Sequence, residues 1–384
     1  KPTAKYLLPD LAEIKPTYMV SVPRIWESVY NGVLNNIKKE SPIKRGLFYF
    51  FTGVGKNYTY FKKLLVGHIP YFKKKNPIVL LFEKIISIFM IIFLFVPNGL
   101  GSLLVFSKIR KKTGGKVRGL ISGGGALPEY VDKFFSSIGI HILEGYGLTE
   151  TAPIISVRNF KTLVYRTVGR PAPGVEVMIG DENWNRLPNQ SEKGIIYIKG
   201  DLVMAGYYKN PEKTNEILKN GWLNTGDLGR LTISGEIQIT GRAKDTIVLI
   251  GGENVEPEPI ENKLLEEPLI SQVIVVGQDK KTLGALIIPQ KENLEDLAKH
   301  KGINFNNYEE LCKKNEIIEE FSKLIKNKIN TTNGFKSYEK IISFTLLTTP
   351  FEVGKELTLS LKMKRNVIME KYHTVIEEMY SGLM

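Results

Sequence analysis

Residues 117–150, VRGLISGGGALPEYVDKFFSSIGIHILEGYGLTE, decide the fold. The run VRGLIS reads as a short strand that ends in Gly123-Gly124-Gly125, and PEYVDKFFSSIG reads as the helix after it. IHILEGYGLTE is then a second strand ending in a polar, glycine-containing loop. Strand, loop, helix, strand, loop is the alternation of an α/β sheet whose ligand loops sit at the strand ends. Upstream, DLAEIKPT, YMVSVP and RIWESVYNGVLNNIKKE predict helix, strand, helix over residues 10–40. Downstream the texture changes. Over 160–242 short strands (VEVMIG, GIIYIKG, GRLTIS, GEIQITG) alternate with turn residues, as in a small barrel-like or antiparallel β unit. Beyond a boundary at Gly241–Asp245 the pattern is α+β. It comprises IENKLLEEP as helix, QVIVVGQ and TLGALIIPQ as strands, a helical stretch at 291–330, the strand IISFTLLTTP and a last helix over 362–380. The expected organisation is part of a large α/β domain (1–159, with 43–112 inserted), a β subdomain (160–242) and a small mobile α+β lid (243–384).

The chain has 384 residues, 53 Lys and Arg against 40 Asp and Glu, and a net charge of +13. Its hydrophobic and charged shares, 42% and 24%, exclude disorder, collagen and coiled coil. A single cysteine, Cys312, excludes an internal disulfide framework, and the four dispersed histidines give no metal-ligand spacing. The charge is uneven. Residues 1–118 carry 21 basic and 5 acidic residues; the remainder carries 32 and 35. The basic excess flanks an apolar block, since no charge occurs from Ile85 to Ser107, Lys73–Lys75 precede it, and Lys108, Arg110, Lys111 and Lys112 follow. A greasy block between basic ones points to a membrane surface rather than to nucleic acid. Pro97-Asn98-Gly99 and Gly101 are expected to interrupt the apolar run IISIFMIIFLFV after 12 residues. A spanning helix, an element lying on the membrane and a wall of an apolar ligand tunnel all remain open.

Three polar loops carry chemistry. Ser122–Pro128 lets backbone approach a flat or phosphorylated ligand through Gly124, Gly125 and Ala126. Glu144–Thr151 offers the aromatic face of Tyr146, the flexible Gly145 and Gly147, the hydroxyl of Thr149 and the carboxylate of Glu150, which suits a magnesium ion. Gly221–Gly229 presents Asp227, able to accept both hydrogens of a ribose diol or simply to cap a turn.

ISGGGALP, LEGYGLTET, GDLVMAGYYKNPEKT, GWLNTGDLG and GRAKDTIVLIGGENVEPEPIE together resemble the adenylate-forming (AMP-binding) enzymes, and most of all bacterial long-chain fatty-acid–CoA ligases. LAEIKPTYMVSVPRIWESVY is similar to that subgroup as well, so the resemblance covers about residues 10 to 370. It implies a long-chain fatty acid activated by ATP, with Mg²⁺, to an acyl-adenylate and passed to coenzyme A. It also implies site residues. Gly124, Gly125, Ala126, Glu144, Gly145, Tyr146 and Gly147 border the nucleotide, with Tyr146 stacking on adenine. Thr149 meets the α-phosphate, Glu150 holds Mg²⁺, Asp227 with Arg242 holds the ribose, Lys244 is the hinge of the lid, and Lys362 approaches the α-phosphate.

The family's Ser/Thr/Gly-rich phosphate loop does not occur before residue 120, so the chain resembles the C-terminal three-fifths of a member and is expected to be inactive without the rest. Leu359 also stands where the subgroup usually has proline, which loosens the loop before Lys362. Two other readings stay open, an inactive adenylate- or acyl-binding fragment and a ligase that loads a carrier protein. The expected setting is the cytoplasmic side of a membrane, bound peripherally to anionic lipid, with no nucleic-acid partner.

Overall fold

A computed structural model describes residues 4–359 and 361–381. The chain forms two compact units, Lys1–Ile239 and Thr240–Met384. The division falls two residues before the expected Gly241–Asp245 boundary.

The first unit opens with α1 (Ala4–Ile14), β1 (Tyr18–Ser21) and α2 (Pro23–Lys38). Pro23 starts α2 where a missing N–H costs nothing, and Trp26, Val29 and Val33 share its buried face. Two long helices follow, α3 (Pro42–Val66) and α4 (Pro77–Gly101). Past α4 one π-turn, Ser102–Phe106, leads directly into α5 (Ser107–Lys112). The interruption expected at Pro97 does not occur, and Pro77–Lys112 is one helix of 36 residues. Ser87, Leu94 and Gly101, seven apart, are its buried positions along α4, and a Cβ on Gly101 would lie 2.9 Å from the Phe51 ring of α3. That tight seam carries the helix through the one bond that Pro97 removes. The exposed faces of α4 are apolar.

The quoted stretch forms β2 (Gly119–Ser122), α6 (Glu129–Ser137) and β3 (Ile142–Tyr146), with the two-residue β4 (Ser156–Val157) after it. β1, β2 and β3 are parallel and adjacent, while β4 runs antiparallel on β3. The register pairs Ser21 with Ser122 and Ser122 with Glu144, so β1 and β2 end level, β3 runs two residues further, and their loops leave from one edge. Trp26, Phe48, Phe51, Phe106, Phe134 and Phe135 fill the core between this sheet and its helices.

The β region holds β5 (Glu176–Gly180), β6 (Gly194–Lys199), α7 (Pro211–Ile217), β7 (Leu218–Lys219), β8 (Trp222–Leu231) and β9 (Ile237–Arg242). The strand order is β5-β6-β8-β7, with β9 also on β8. Among the described residues this antiparallel sheet does not close into a barrel. Residues 221–229, read from sequence as a loop, lie mostly on β8.

The second unit begins with the small pair β10 (Ile247–Val248) and β11 (Asn254–Val255), then α8 (Pro257–Leu264). Its main sheet is β12 (Ile270–Val276), β13 (Leu283–Pro289) and β14 (Ile341–Leu346), antiparallel then parallel. All seven β13 residues are buried, as expected of a central strand covered on both faces. Val273 and Val275 face a core shared with α9 (Lys291–Lys301), α10 (Tyr308–Lys313) and α11 (Asn315–Lys328). Ile274 and Val276 face the opposite core, with α12 (Arg365–Lys371) and α13 (His373–Ser381). The helix expected at 291–330 is thus three helices, and that expected at 362–380 is two.

Candidate active site

Glu144 is the residue through which the first two loops meet. Its Oε1 accepts the Leu127 N–H (2.9 Å), which ties Ser122–Pro128 to the end of β3. Its Oε2 accepts from Arg158 Nη2 (2.6 Å), and Arg158 Nη1 reaches Asp132 Oδ2 on α6 (2.7 Å). Arg158 Nε donates to the Thr167 carbonyl. Arg158, Asp132 and Glu144 are all buried. Burial works against the guanidinium charge, but the two carboxylates more than offset it and hold its pKa above the ordinary value. The triad therefore braces the loop edge without occupying it. Gly124, Gly125 and Ala126 are exposed at that edge.

The turn after β3 is built by Gly147 and Thr151. A Cβ on Gly147 would fall 1.5 Å from the Pro153 carbonyl oxygen, so no side chain fits. Buried Thr151 closes the turn, its Oγ1 accepting the Leu148 N–H (3.0 Å). Thr149 is left exposed. Glu150 is held from residues 204–207, with Tyr207 Oη donating to its Oε1 (2.7 Å) and the Met204 N–H to its carbonyl (2.9 Å). That contact raises the Tyr207 pKa.

The third segment arrives through a bulge. Tyr197 pairs with Asn224 and Ile195 with Leu228, so β8 carries extra residues opposite Ile196. Gly226 takes φ +70° at the bulge. Thr225 Oγ1 donates to the Ile196 carbonyl (2.7 Å) and accepts the Asp227 N–H (3.1 Å). The kink turns Asp227 inward, where Tyr146 Oη donates to its Oδ2 (2.8 Å). Tyr146 is itself buried beside Ile155, Val168, Ile179 and Ile196. Within the first unit the second loop therefore touches both of the others, the first through Glu144 and the third through Tyr146.

The remaining candidates lie in the second unit. Arg242 is half-buried at the end of β9, and Lys244 is exposed in a short 3₁₀ turn, Ala243–Asp245. Lys362 is exposed, with its N–H on Thr358 Oγ1 (3.0 Å) and its carbonyl accepting the Thr358 N–H (2.8 Å). Leu359, in that turn, is 91% exposed. Around the turn, Glu356 Oε2 accepts the Glu352 N–H (2.9 Å), Oε1 pairs with Lys371 (2.6 Å), and the Glu356 carbonyl accepts the Lys364 N–H (2.8 Å). Arg365 pairs with buried Glu261 (2.7 Å), fixing the start of α12 to β12, where the Val275 N–H also meets Glu261 (2.8 Å). Among the described residues no three His, Cys, Asp or Glu side chains cluster as a metal cage. A lone Glu150 carboxylate fits a magnesium ion whose other ligands are water and substrate phosphate, which is how that ion is commonly held.

Arg158 and Tyr207 escaped the sequence reading. Tyr207 lies within the quoted GDLVMAGYYKNPEKT, yet neither role could be assigned, because each acts through a partner distant in the chain.

Known proteins give the class first. The AMP-binding enzyme profile matches residues 1–208, and the AMP-binding enzyme C-terminal domain matches residues 244–384. The chain belongs to the AMP-binding enzyme family. More particularly, it is 34% identical over 98% of its length to a protein of Arabidopsis thaliana named Long-chain-fatty-acid–[acyl-carrier-protein] ligase AEE15, chloroplastic. It is 33% identical, again over 98%, to Long-chain-fatty-acid–CoA ligase FadD15 of Mycobacterium tuberculosis. It spans about half the length of these relatives, 51% and 57%. In fold it is similar to the adenylation domain of the carboxylate reductase of Mycobacterium chelonae, with a TM-score of 0.67 at 21% identity over 98% of this chain and 48% of that one.

Proposed function

We propose that the protein to which this chain belongs activates a long-chain fatty acid with ATP and transfers the acyl group to coenzyme A. In the first step a carboxylate oxygen attacks the α-phosphorus, and pyrophosphate leaves. In the second the coenzyme A thiol, losing its proton, attacks the acyl carbonyl carbon, and AMP leaves with the bonding pair. The observation that carries this reading is the Tyr146–Asp227 hydrogen bond, which joins two motifs 81 residues apart at the edge where three strands end.

Asp227, aimed by the β8 bulge and by Tyr146, takes the ribose hydroxyls, with Arg242 assisting. Exposed Gly124, Gly125 and Ala126 admit the adenine close to backbone, and Tyr146 lies against its ring. Thr149 donates to the α-phosphate. Glu150, oriented by Tyr207, would hold a magnesium ion, which would neutralise phosphate charge. Lys362 offsets charge at the pentavalent phosphorus. Lys244 takes up the backbone rotation by which the second unit serves both steps.

Pyrophosphate exchange into ATP, dependent on palmitate and followed by AMP release on adding coenzyme A, tests the reading in the full-length protein. No exchange with any long-chain acid would sink it. The near-equal identity to a carrier-protein ligase and to a CoA ligase supports a second acceptor, the phosphopantetheine thiol of a carrier protein. AMP release with carrier protein but not with coenzyme A would select that version.

A further inference from the structure

The helix Pro77–Lys112 shows the solvent what a soluble helix hides. Phe82, Phe89, Val96 and Leu103 recur every seven residues and are 61, 75, 65 and 71% exposed. They lie two positions on from Ser87, Leu94 and Gly101, hence about 200° round the helix from the seam on α3. Ile85, Ile86, Ile92, Phe93, Phe95 and Leu100 widen the stripe, and all are exposed. Only Glu83 and Lys84 are charged between Pro77 and Ser107, and Glu83 is engaged by Lys75 and Tyr71. Apolar surface of this extent calls for an occupant.

Both ends of the helix are pinned to the first unit. Before it, the Tyr71 carbonyl accepts the Ile233 N–H (2.8 Å), and the Arg230 guanidinium stacks 3.6 Å above the Phe72 ring. At its end Phe106 and Ile109 enter the core, and Arg110 Nη1 donates to the Ile138 carbonyl (2.7 Å). The neighbouring α3 carries exposed Lys56 and Lys62 and commits Phe48 and Phe51 to the same core. A span of ~30 Å of hydrocarbon would require the helix ends to stand on opposite sides of a bilayer. Ends fastened to one folded unit forbid that. The exposed cations gather toward the two ends, Lys73, Lys74 and Lys84 at its start and Lys108, Lys111 and Lys112 at its close. Positive ends with an apolar middle complement one leaflet of anionic lipid, headgroups at both ends and acyl chains between.

We propose that α4 is an in-plane membrane anchor, half-sunk in the anionic leaflet, and that it does not cross the membrane. The inference stands apart from the proposed reaction, since it needs neither ATP nor an acyl substrate.

The test uses the full-length protein and vesicles of phosphatidylcholine with or without phosphatidylglycerol. Expected is flotation with the mixed vesicles, weakened by salt, and roughly tenfold or greater loss with the variant Phe89→Glu/Phe93→Glu, whose exposed positions leave the core intact. A second measurement places single tryptophans at Phe82, Phe89, Val96 and Leu103, sites that cover about 32 Å of helix axis, and reads their depth with lipid-borne quenchers. Equal depth at all four supports the in-plane anchor. A steady gradient of depth across the four overturns it in favour of a span. Failure to float, with a dimer in lipid-free solution that Phe89→Glu/Phe93→Glu dissociates, overturns it in favour of a second copy of the chain as the occupant. Failure of wild type and variant alike, with neither a dimer nor a tryptophan shift on adding vesicles, overturns it outright.

Discussion

Asp227 and Lys362 are the two charged groups assigned closest to the nucleotide, yet they are held in opposite ways. Asp227 is buried, set by a strand bulge and bonded to Tyr146 from 81 residues away. Lys362 is exposed, and its backbone N–H meets the hydroxyl of Thr358, four residues off. Long-range bonding fixes a side chain relative to a whole sheet. Local bonding fixes only the shape of a turn and lets that turn travel as a piece. Under the proposed function, the buried carboxylate is the ribose ligand and the exposed lysine is the cation of the first step.

The most damaging way to break the fixed half is at Arg158. Arg158→Met leaves the buried carboxylates of Asp132 and Glu144 without the guanidinium that pairs both, and is expected to cost about 3–5 kcal/mol. Urea midpoints measure it, and a loss below about 1 kcal/mol would show that the triad does not brace the loop edge. Replacing all three by apolar residues should restore much of the stability without restoring nucleotide binding, because the Leu127 N–H then has no carboxylate to meet.

The locally held half of the comparison is broken at Lys362. Lys362→Ala should lower adenylate formation by about 10²–10³-fold, the range for losing one preorganised charge at a developing anion. Thioester formation from supplied acyl-adenylate should be nearly unchanged. Stopped-flow pyrophosphate release against single-turnover thiol acylation separates the steps, and equal losses in both would remove Lys362 from the first.

Asp227→Ala sharpens the contrast from the other side. Loss of a charge-assisted contact worth about 1.5–3 kcal/mol should raise the ATP KM by roughly 10- to 100-fold in the first step. Preference among fatty acids should be untouched, because in the proposed site this carboxylate meets the ribose and not the acyl chain. A changed chain-length profile would contradict the assignment.

How much of this could be read beforehand follows the same divide. The loops 122–128 and 144–151 were legible because glycines and strand ends are local signals, and the β1–β2–β3 register merely sets them side by side. The bulge at Thr225–Asp227 was not, since a strand with extra residues looks like a loop until its partner Ile196 is known. Arg158 looked like any surface arginine, and its role exists only because α6 and β3 bring Asp132 and Glu144 to it. Pro97 misled for a related reason. Propensity opposes a helix there, but packing of Ser87, Leu94 and Gly101 on α3 outweighs one lost hydrogen bond.

The smallest effect expected concerns the support beneath Lys362. Lys371 and the Glu352 N–H hold the Glu356 carboxyl down at about 2. A carboxyl depressed on folding adds stability above its unfolded value near 4.5 and loses it as the pH falls toward 2. Glu356→Gln keeps an acceptor for the Glu352 N–H and removes the pairing with Lys371. At neutral pH it should cost about 1 kcal/mol, a figure discounted for the half-exposed Lys371 ammonium. The gap between wild type and variant should close as the pH drops from about 4.5 to 2. Urea titrations at stepped pH measure it. The same substitution should speed amide exchange in residues 352–364 and leave exchange at Asp227 unchanged. Equal acceleration at both sites would mean that the turn bearing Lys362 is not a separate local device, and the contrast between the buried carboxylate and the locally held lysine would fail with it.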